Sequence, residues 1–408
     1  LDYYEKQDIL AALDPADRIC QLVAYLKKEN TALEIESEIQ EKVQNEIDKS
    51  QREYYLREEM KVISDALGEG DNPQEEAEEY RDKINALKCN EDIKEKLLKE
   101  CDKLSKMPSG SHEGTVERIY LDKCLEIPFG KYTKDSINLE KSRKILDKEH
   151  YGLDKIKDRI VDSLAVYKRN PDFTGQILCL AGPPGVGKTS IAVSIAKAMG
   201  RPCVKISLAG VSDALFLRGT QTVFNNAKPG RIVDALVHGK SFCPLILLDE
   251  IDKMGSSIEH GCPENVLLDI LDSDRSKFVD NYLGFPLDLS NVIFVATANS
   301  LEPLSPILQD RLDIVELPPY TIRDKKQIVK GYIWPKLIKE YQIEQVDIEE
   351  DAIEELIALC PEEGVRDLER ICRKMCESVI SLYYVEGNII KNIKAENLAK
   401  IMGPIYYR

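Results

Sequence analysis

Apolar residues fall at helical spacing in the first part of the chain. Between about residues 27 and 67, which contain neither glycine nor proline, Ile35, Ile39, Val43 and Ile47 recur every four residues among charged neighbours. This spacing predicts a long helix with one apolar stripe, about 60 Å long at about 1.5 Å per residue. Such a stripe is typical of a helix that packs on a partner helix or a neighbouring subunit. The alternative is a solvated helix that is ordered only by contacts within an assembly.

A second pattern begins near His150, where short apolar runs rich in β-branched residues alternate with helical ones. Strands that alternate with helices predict a parallel α/β sheet. After Pro318 and Pro319 the pattern predicts helices alone, as far as about Ile401. The predicted strands are Ile177–Ala181, Cys203–Ser207, Leu245–Asp249, Asn291–Ala296 and Asp313–Leu317.

The length of 408 residues and the change of pattern together predict several domains. We expect residues 1–115 to form a helical, coiled-coil-like arm and residues 116–149 to form a linker segment. Residues 150–318 are predicted to form the α/β domain, and residues 319–403 a helical domain. Residues 404–408 have the composition of the start of a further linker, so the chain is expected to be a piece of a longer protein.

Composition excludes several classes of protein. The chain has 56 Lys and Arg against 72 Asp and Glu, and this net charge of −16 argues against a dominant anionic-membrane or DNA-binding surface. The 11 cysteines contain no C-x-x-C pair, which favours reduced thiols in a cytoplasmic compartment. Apolar runs such as Leu245–Leu248 are far too short to span a bilayer, so no membrane partner is expected.

One segment matches the pattern G-x-x-x-x-G-K-[ST], with an apolar strand before it and a helix-prone run after it. The glycines allow the backbone amides to surround a phosphate chain, and the start of the helix favours an anion. The lysine would reach the β- and γ-phosphates of ATP and the threonine would bind Mg²⁺. The predicted cofactors are therefore ATP and Mg²⁺. The residues of this phosphate loop are Gly182, Pro183, Pro184, Gly185, Val186, Gly187, Lys188 and Thr189.

Two carboxylates follow the buried run Leu245–Leu248. The carboxyl ends of parallel strands meet at one edge of a sheet, so Asp249 and Glu250 are expected beside the phosphate loop. In that position Asp249 would bind Mg²⁺, and Glu250 would act as general base on the attacking water.

Three further polar residues are candidates for the same chemistry. Asn299 follows the predicted strand Asn291–Ala296 and would orient the water. Arg311 lies twelve residues further on and could complete a neighbouring subunit's site as an arginine finger. Arg366 opens a predicted helix and could contact the γ-phosphate.

This ordered set of motifs resembles the AAA+ ATPases. The residues of several short segments are similar to those of the Lon family of ATP-dependent proteases. The resemblance runs from about Leu1 to Ile401 and predicts an AAA+ parallel sheet with a helical lid. The segments that carry it are Gln51–Glu58, His150–Leu153, Lys157–Arg159, Leu178–Leu180, Gly182–Ser190, Leu247–Met254, Phe294–Thr297 and Gly364–Arg366.

The resemblance also implies how the chain works. Lon proteins assemble as homo-hexameric rings that thread unfolded proteins through a central pore, and they occupy the cytoplasm, or the mitochondrial matrix in eukaryotes. The implied roles are a Walker B pair for Asp249 and Glu250, a first sensor for Asn299, a finger acting across the subunit boundary for Arg311, a second sensor for Arg366, and an adenine contact for Tyr151.

The predicted pore loop departs from the family pattern. It is usually richer in arginine, with an aromatic–aliphatic–glycine step, whereas this chain has Phe224, Asn225 and Asn226. Phe224 keeps an aromatic side chain that could grip a threaded polypeptide. The alternative is that Phe224 is an ordinary packing residue.

The family's Ser–Lys protease signature, a Pro-x-Asp-Gly-Pro-Ser-Ala-like segment, does not occur within these 408 residues. The chain is therefore expected to supply the ATPase, unfoldase and translocase part of an ATP-dependent serine protease. One alternative is a stand-alone AAA+ remodelling ATPase, and another is a scaffold that binds nucleotide without turnover. Glu250 and Arg311 argue against the scaffold.

Overall fold

The computed structural model describes residues 73–403 apart from 109, 134–136, 171–176, 225, 256–260, 272–274, 344 and 387–389, together with scattered positions between 7 and 52. The chain divides into two compact units, residues 1–76 and 77–408. In the first unit residues 15–20 are helical, and the Asp14 carboxylate accepts the N–H of Ala16 at 3.1 Å at the start of this turn. The predicted apolar stripe between residues 27 and 67 lies outside the described residues.

Three helices precede the α/β region: α1 (Pro73–Asn85), α2 (Glu91–Leu104) and α3 (His112–Glu126). Ser111 caps α3 by accepting the N–H of Gly114 at 3.1 Å. The apolar residues of these helices are buried at helical spacing, and they include Ile84, Leu97, Cys101, Leu104, Leu121 and Cys124.

The predicted boundary between residues 115 and 116 falls inside α3, and the segment predicted as a linker also contains α4 (Leu139–Glu149). A linker prediction rests on weak apolar periodicity. Here Tyr120, Leu121 and Leu146 nevertheless provide buried contacts, because each packs on residues far away in the sequence.

A five-stranded sheet forms the centre of the second unit, and every pair of neighbouring strands is parallel. The predicted parallel sheet is therefore confirmed. The spatial order of the strands, numbered along the chain with the ranges given in the next sentence, is β2-β3-β6-β1-β7. The strands are β1 (Ile177–Ala181), β2 (Cys203–Ser207), β3 (Leu245–Asp249), β6 (Ile293–Ala298) and β7 (Leu312–Glu316), and an antiparallel pair is formed by β4 (Phe278–Val279) and β5 (Pro286–Leu287).

Helices cover both faces of this sheet. Leu245 and Leu247 of β3 point into the apolar cluster on one face of the sheet. Ile246 and Leu248 point into the cluster on the other face. A strand buried on both faces explains the unbroken apolar run in the sequence. The helices of this region are α5 (Asp154–Arg169), α6 (Lys188–Met199), α7 (Leu215–Arg218), α8 (Arg231–Gly239), α9 (Pro263–Leu271) and α10 (Pro306–Gln309).

The region after residue 319 is mainly helical, as predicted, and has its own apolar core. Trp334, the single tryptophan of the chain, is buried there and donates its indole N–H to the carbonyl of Val346 at 3.3 Å. The helices are α11 (Ile322–Ile328), α12 (Trp334–Glu340), α13 (Glu350–Ala358), α14 (Arg366–Glu386) and α15 (Ala395–Met402), with a π-helical turn at Val329–Ile333.

The sequence pattern missed one feature of this helical region. Strands β8 (Asp347–Ile348) and β9 (Asn392–Ile393) form a two-stranded parallel sheet. Two-residue strands are too short to produce a recognisable alternation of apolar and polar positions.

The carboxyl of Glu117 on α3 has an unusual environment. Its Oε1 is buried and has no hydrogen-bond partner in the described part of the chain. Burial, together with the nearby charge of Glu100, raises the pKa of Glu117 to about 7. Between about pH 4.5 and about pH 7, the folded state therefore keeps a proton on Glu117 that the unfolded state has lost.

We expect Glu117→Gln to increase the free energy of unfolding at about pH 8 by about 1 kcal/mol, and to change it little at about pH 4.5. The stability that the protonated carboxyl provides is lost as the pH rises through its folded pKa, and glutamine removes this loss. Urea denaturation at both pH values measures the difference. The exposed Glu113→Gln on the same helix is the control, and an effect of Glu117→Gln that does not depend on pH would contradict this interpretation.

Candidate active site

The phosphate loop connects β1 to α6 at the carboxyl edge of the sheet. The N–H of Gly182 donates to the carbonyl of Ala298 at 3.2 Å, which fixes the start of the loop against β6. Gly185 and Gly187 have φ angles of 81° and 95°. Other residues rarely adopt these values. Left-handed residues next to right-handed ones form the concave row of backbone amides that binds anions.

Lys188 begins α6, and its side chain turns back over the loop. Its Nζ donates to the carbonyls of Gly182 at 2.6 Å and Pro183 at 2.8 Å, and to the Oδ1 of Asn299 at 2.9 Å. Burial lowers the pKa of Lys188, and the carboxylates of Asp252, Asp249 and Glu250 oppose this shift. The structure therefore brings the predicted lysine and the predicted Asn299 together at the carboxyl ends of β1 and β6.

Asp249 ends β3 and is buried beside the loop. Its Oδ1 accepts hydrogen bonds from the hydroxyls of Thr189 at 3.0 Å and Thr297 at 2.7 Å, and its Oδ2 pairs with Lys205 at 2.6 Å. Burial alone would raise the pKa of Asp249, but the hydrogen bonds from Lys205, Thr297 and Thr189 outweigh burial and hold this pKa below its usual value. An ionised carboxylate and a hydroxyl in contact are the oxygen ligands that suit Mg²⁺.

Glu250 lies one residue further, in a left-handed conformation with φ of 58°. Its N–H donates to the hydroxyl of Thr297 at 3.0 Å, and its Oε1 pairs with Lys253 at 2.9 Å. A glutamate rarely adopts a positive φ, which costs about 1–2 kcal/mol. The contact with Thr297 helps to hold this conformation and sets the direction in which the side chain leaves β3.

The sequence motifs did not identify Thr297 and Lys205 as site residues. Both reach Asp249 because β2 and β6 flank β3 in the sheet. A weak signal exists in each case. Lys205 is a charged residue in the middle of a short strand, and Thr297 is a polar residue near the end of a buried one. Neither signal is useful before the strand order is known.

A segment of the helical region closes over the phosphate loop. Val365 donates its N–H to the carbonyl of Gly185 at 3.0 Å, and Tyr320 donates its hydroxyl to the carbonyl of Val186 at 3.0 Å. A Cβ atom on Gly364 would lie 2.3 Å from the carbonyl oxygen of Pro184. Only glycine permits this approach, and it places Arg366, the exposed first residue of α14, immediately beside the loop.

Tyr151 is half-buried and packs on the apolar core of the helical region, while its neighbour His150 contacts α6. The Nε2 of His150 lies 2.8 Å from the hydroxyl of Ser194. Burial lowers the pKa of His150 to about 4, so the imidazole is neutral near pH 7. Tyr151 thus lies between the α/β domain and the helical region.

Known proteins with similar sequences agree with this geometry. Residues 178–320 match the family "ATPase family associated with various cellular activities (AAA)". The Lon protease of Dictyoglomus thermophilum is 42% identical over 417 residues, which cover 100% of this chain and 52% of the relative. Lon protease 1 of Bacillus subtilis is 40% identical over 385 residues, which cover 92% of the chain and 50% of the relative. The chain belongs to the Lon family.

This Lon-family chain spans about half the length of the curated relatives that it matches. The predicted AAA+ fold and the resemblance to Lon are therefore confirmed for this part of the protein. Within the described residues, no helix combines the length and the apolar character that a membrane crossing requires.

Two further predicted residues of this Lon-family chain are Arg311 and Phe224. The carbonyl of Arg311 accepts the N–H of Ile177, the first residue of β1, so the backbone of Arg311 lies at the amino edge of the sheet. Phe224 lies in the segment between α7 and α8, and 62% of its surface is exposed. The adjacent Val223 is 81% exposed, and Asn225 lies outside the described residues.

A cavity of about 490 Å³ also lies away from the loop. It is lined mainly by apolar residues of α5, β1 and β6, including Ile160, Leu164, Ile177 and Ile293. None of the predicted site residues lines it. Its position under α5, near the amino ends of β1 and β6, separates it from the polar site described above.

Gly364→Ala tests the contact between the helical region and the loop. The added methyl group would clash with Pro184 and Gly185 and move the start of α14 away from the phosphate loop. We expect ATP to bind about tenfold more weakly, a loss of about 1.4 kcal/mol. Titration with a fluorescent ATP analogue measures the affinity.

Gly331→Ala is the matched control, because a Cβ atom at Gly331 would meet no atom within 4 Å. Its ATP affinity should equal that of the unmodified chain. Equal affinities for the two alanine variants would show that close approach at Gly364 does not contribute to nucleotide binding.

Proposed function

We propose that this chain is the ATP-driven unfolding and translocation engine of a Lon-type protease. One observation carries the proposal: the phosphate loop, Asp249 and Asn299 meet at one edge of the parallel sheet, and Gly364 closes the helical region over them. This arrangement fits a nucleotide whose phosphates lie on the loop and whose loss is sensed by the helical lid, residues 319–403.

In this proposal the loop amides and Lys188 bind the phosphates of ATP. Thr189 and Asp249 hold Mg²⁺, which neutralises charge on the β- and γ-phosphates when it is bound. Phosphate oxygens would replace the loop carbonyls as partners of Lys188, whose ammonium group lies over the loop. The short contact between Thr189 and Asp249 supports the oxygen donor set that Mg²⁺ prefers.

Glu250 then acts as general base on the attacking water, and Asn299 orients that water. The ion pair between Glu250 and Lys253 has to break before Glu250 can accept a proton. Because both side chains are partly exposed, breaking this pair costs little free energy. Thr297 keeps the backbone of Glu250 in place while the pair breaks, because it accepts the N–H of Glu250.

The position of Arg311 supports a ring in which subunits complete each other's sites. Its backbone lies at the opposite edge of the sheet from the phosphate loop of its own chain. As an arginine finger it would therefore act on the nucleotide of an adjacent subunit of a homo-hexamer. Arg366, beside the chain's own loop, would act within the subunit and move the lid when the γ-phosphate leaves.

The proposed substrates are unfolded proteins that are gripped by the loop carrying Phe224. An aromatic side chain with most of its surface exposed is suited to hold an extended polypeptide of varied sequence. In the whole protein, which we propose to be cytoplasmic, a Ser–Lys protease domain would cleave the translocated chain. The 11 free cysteines, all of them among the described residues, support a reducing compartment.

Glu250→Gln tests the assigned base. Glutamine keeps the size of the side chain but cannot accept a proton, so steady-state ATP hydrolysis should fall at least about 100-fold while ATP affinity changes by less than about twofold. Phosphate release and nucleotide titration measure the two quantities. Glu302→Gln, an exposed glutamate elsewhere, should hydrolyse ATP normally. Sustained hydrolysis by the Glu250 variant would refute the assignment.

Phe224→Ala tests the grip. Basal ATP hydrolysis should remain within about twofold, because the segment that carries Phe224 supplies none of the proposed nucleotide-binding residues. ATP-dependent unfolding of a tagged fluorescent protein should fall about tenfold or more. Val223→Ala removes an even more exposed neighbour and serves as the control. If both variants unfold the substrate equally well, Phe224 does not grip it.

A further inference from the structure

The loop that carries Phe224 leaves the domain through a narrow neck. The ends of the loop, Gly219 and Gly230, lie so close that a Cβ atom on Gly230 would lie 2.7 Å from the nitrogen of Gly219 and 2.0 Å from the carbonyl oxygen of Leu217. Gly219 has a φ of 75°. The direction in which the loop projects is therefore set by the groups that hold these two glycines.

Two adjacent residues, Asp280 and Asn281, clasp this neck. Asp280 is fully buried, and its Oδ2 accepts the N–H of Gly230 at 2.8 Å. On the other side of the neck, Asn281 donates its side-chain N–H to the carbonyl of Gly219 at 3.0 Å and its backbone N–H to the carbonyl of Arg218 at 2.7 Å. Both ends of the loop are thus tied to one short segment.

This segment is the turn between β4 and β5, residues 280–284, and the carboxylate of Asp280 also organises it. The Oδ1 of Asp280 accepts the backbone N–H groups of Tyr282 at 2.9 Å and Leu283 at 3.2 Å. One carboxylate therefore holds the turn with one oxygen and the neck of the loop with the other. Burial raises the pKa of Asp280 to about 6, and the three backbone hydrogen bonds that the carboxylate accepts oppose this shift.

The same turn is held from the other side by helices α2 and α3. Lys96 of α2 donates to the carbonyls of Leu283 at 3.2 Å and Gly284 at 2.7 Å, and Tyr120 of α3 donates its hydroxyl to the carbonyl of Leu283 at 2.9 Å. The rings of Tyr120 and Tyr282 pack with their centroids 5.6 Å apart. A movement of α2 and α3 therefore moves the turn.

We propose that Asp280 is a positioning residue for the loop that carries Phe224, and that the turn at residues 280–284 transmits the position of α2 and α3 to that loop. The proposal rests on the function proposed above, in which this loop grips the substrate. In this proposal, the helices that precede the AAA+ domain affect directly how the loop grips the substrate. They need no contact with the nucleotide to do so.

Asp280→Asn separates the two tasks of the carboxylate. Asparagine has one acceptor oxygen, and if this oxygen keeps the N–H groups of Tyr282 and Leu283, an amide NH₂ faces the N–H of Gly230. Hydrogen exchange of the full chain should then be faster by about tenfold or more at Gly230 and Arg231. Asp288→Asn is the control, because Asp288 is exposed and accepts only the N–H of Ser290 in the described structure.

The assembled protein should show the same separation in its activity. Asp280→Asn should reduce ATP-dependent unfolding of the tagged fluorescent protein about as much as Phe224→Ala does, while basal ATP hydrolysis stays within about twofold. The proposal would be overturned if Asp280→Asn leaves both the exchange at Gly230 and Arg231 and the unfolding rate unchanged. If Phe224→Ala itself has no effect, the grip is refuted, and the exchange data still decide whether Asp280 positions the loop.

Lys96→Met provides a second variant, which leaves the carboxylate intact and removes only the ammonium group that donates to the turn. It releases the turn from α2, so exchange at Gly230, at Arg231 and at residues 282–284 should rise and substrate unfolding should fall, even if Asp280→Asn does not fold. Lys99→Met, an exposed lysine on the same helix, is its control. Equal exchange in these two lysine variants would show that α2 does not act through the turn.

Discussion

The carboxylate of Asp249 is the interaction on which the site depends. It is buried at the end of β3, and it is held by hydroxyls from α6 and β6 and by a lysine from β2. Four elements from three separate parts of the sequence therefore have to converge before this charge can be buried at low cost. Burial of the Asp249 charge at this polar edge therefore requires the observed order of the strands.

The sequence predicted much of the fold because its signals are local. The bounds of β1, β2 and β3 agree with the predicted ones, and the phosphate loop is recognisable from eight consecutive residues. The strand that precedes Asn299 is displaced by two residues, since its polar end, with Thr297, is still hydrogen-bonded within the sheet. Local pattern cannot separate a polar residue that ends a strand from one that lies inside it.

Other features could not be predicted, because they depend on contacts between distant segments. Gly364 has no helical or turn signature that shows it will lie against Pro184, and the ion pair of Lys205 requires the order of three strands. The same holds for Asp280, whose role follows from its contact with Gly230, fifty residues earlier in the chain. Such residues become identifiable only when the topology is known, and they are the ones that set the geometry of the site.

The placement of Trp334 has a practical consequence. It is the only tryptophan in the sequence, it is buried in the core of the helical lid, and its indole is hydrogen-bonded there. Intrinsic tryptophan fluorescence therefore reports on the apolar core of the helical region. Spectral changes during denaturation follow the melting of the lid alone, and circular dichroism over the same range follows the whole molecule, so the two signals together measure how cooperatively the lid and the sheet unfold.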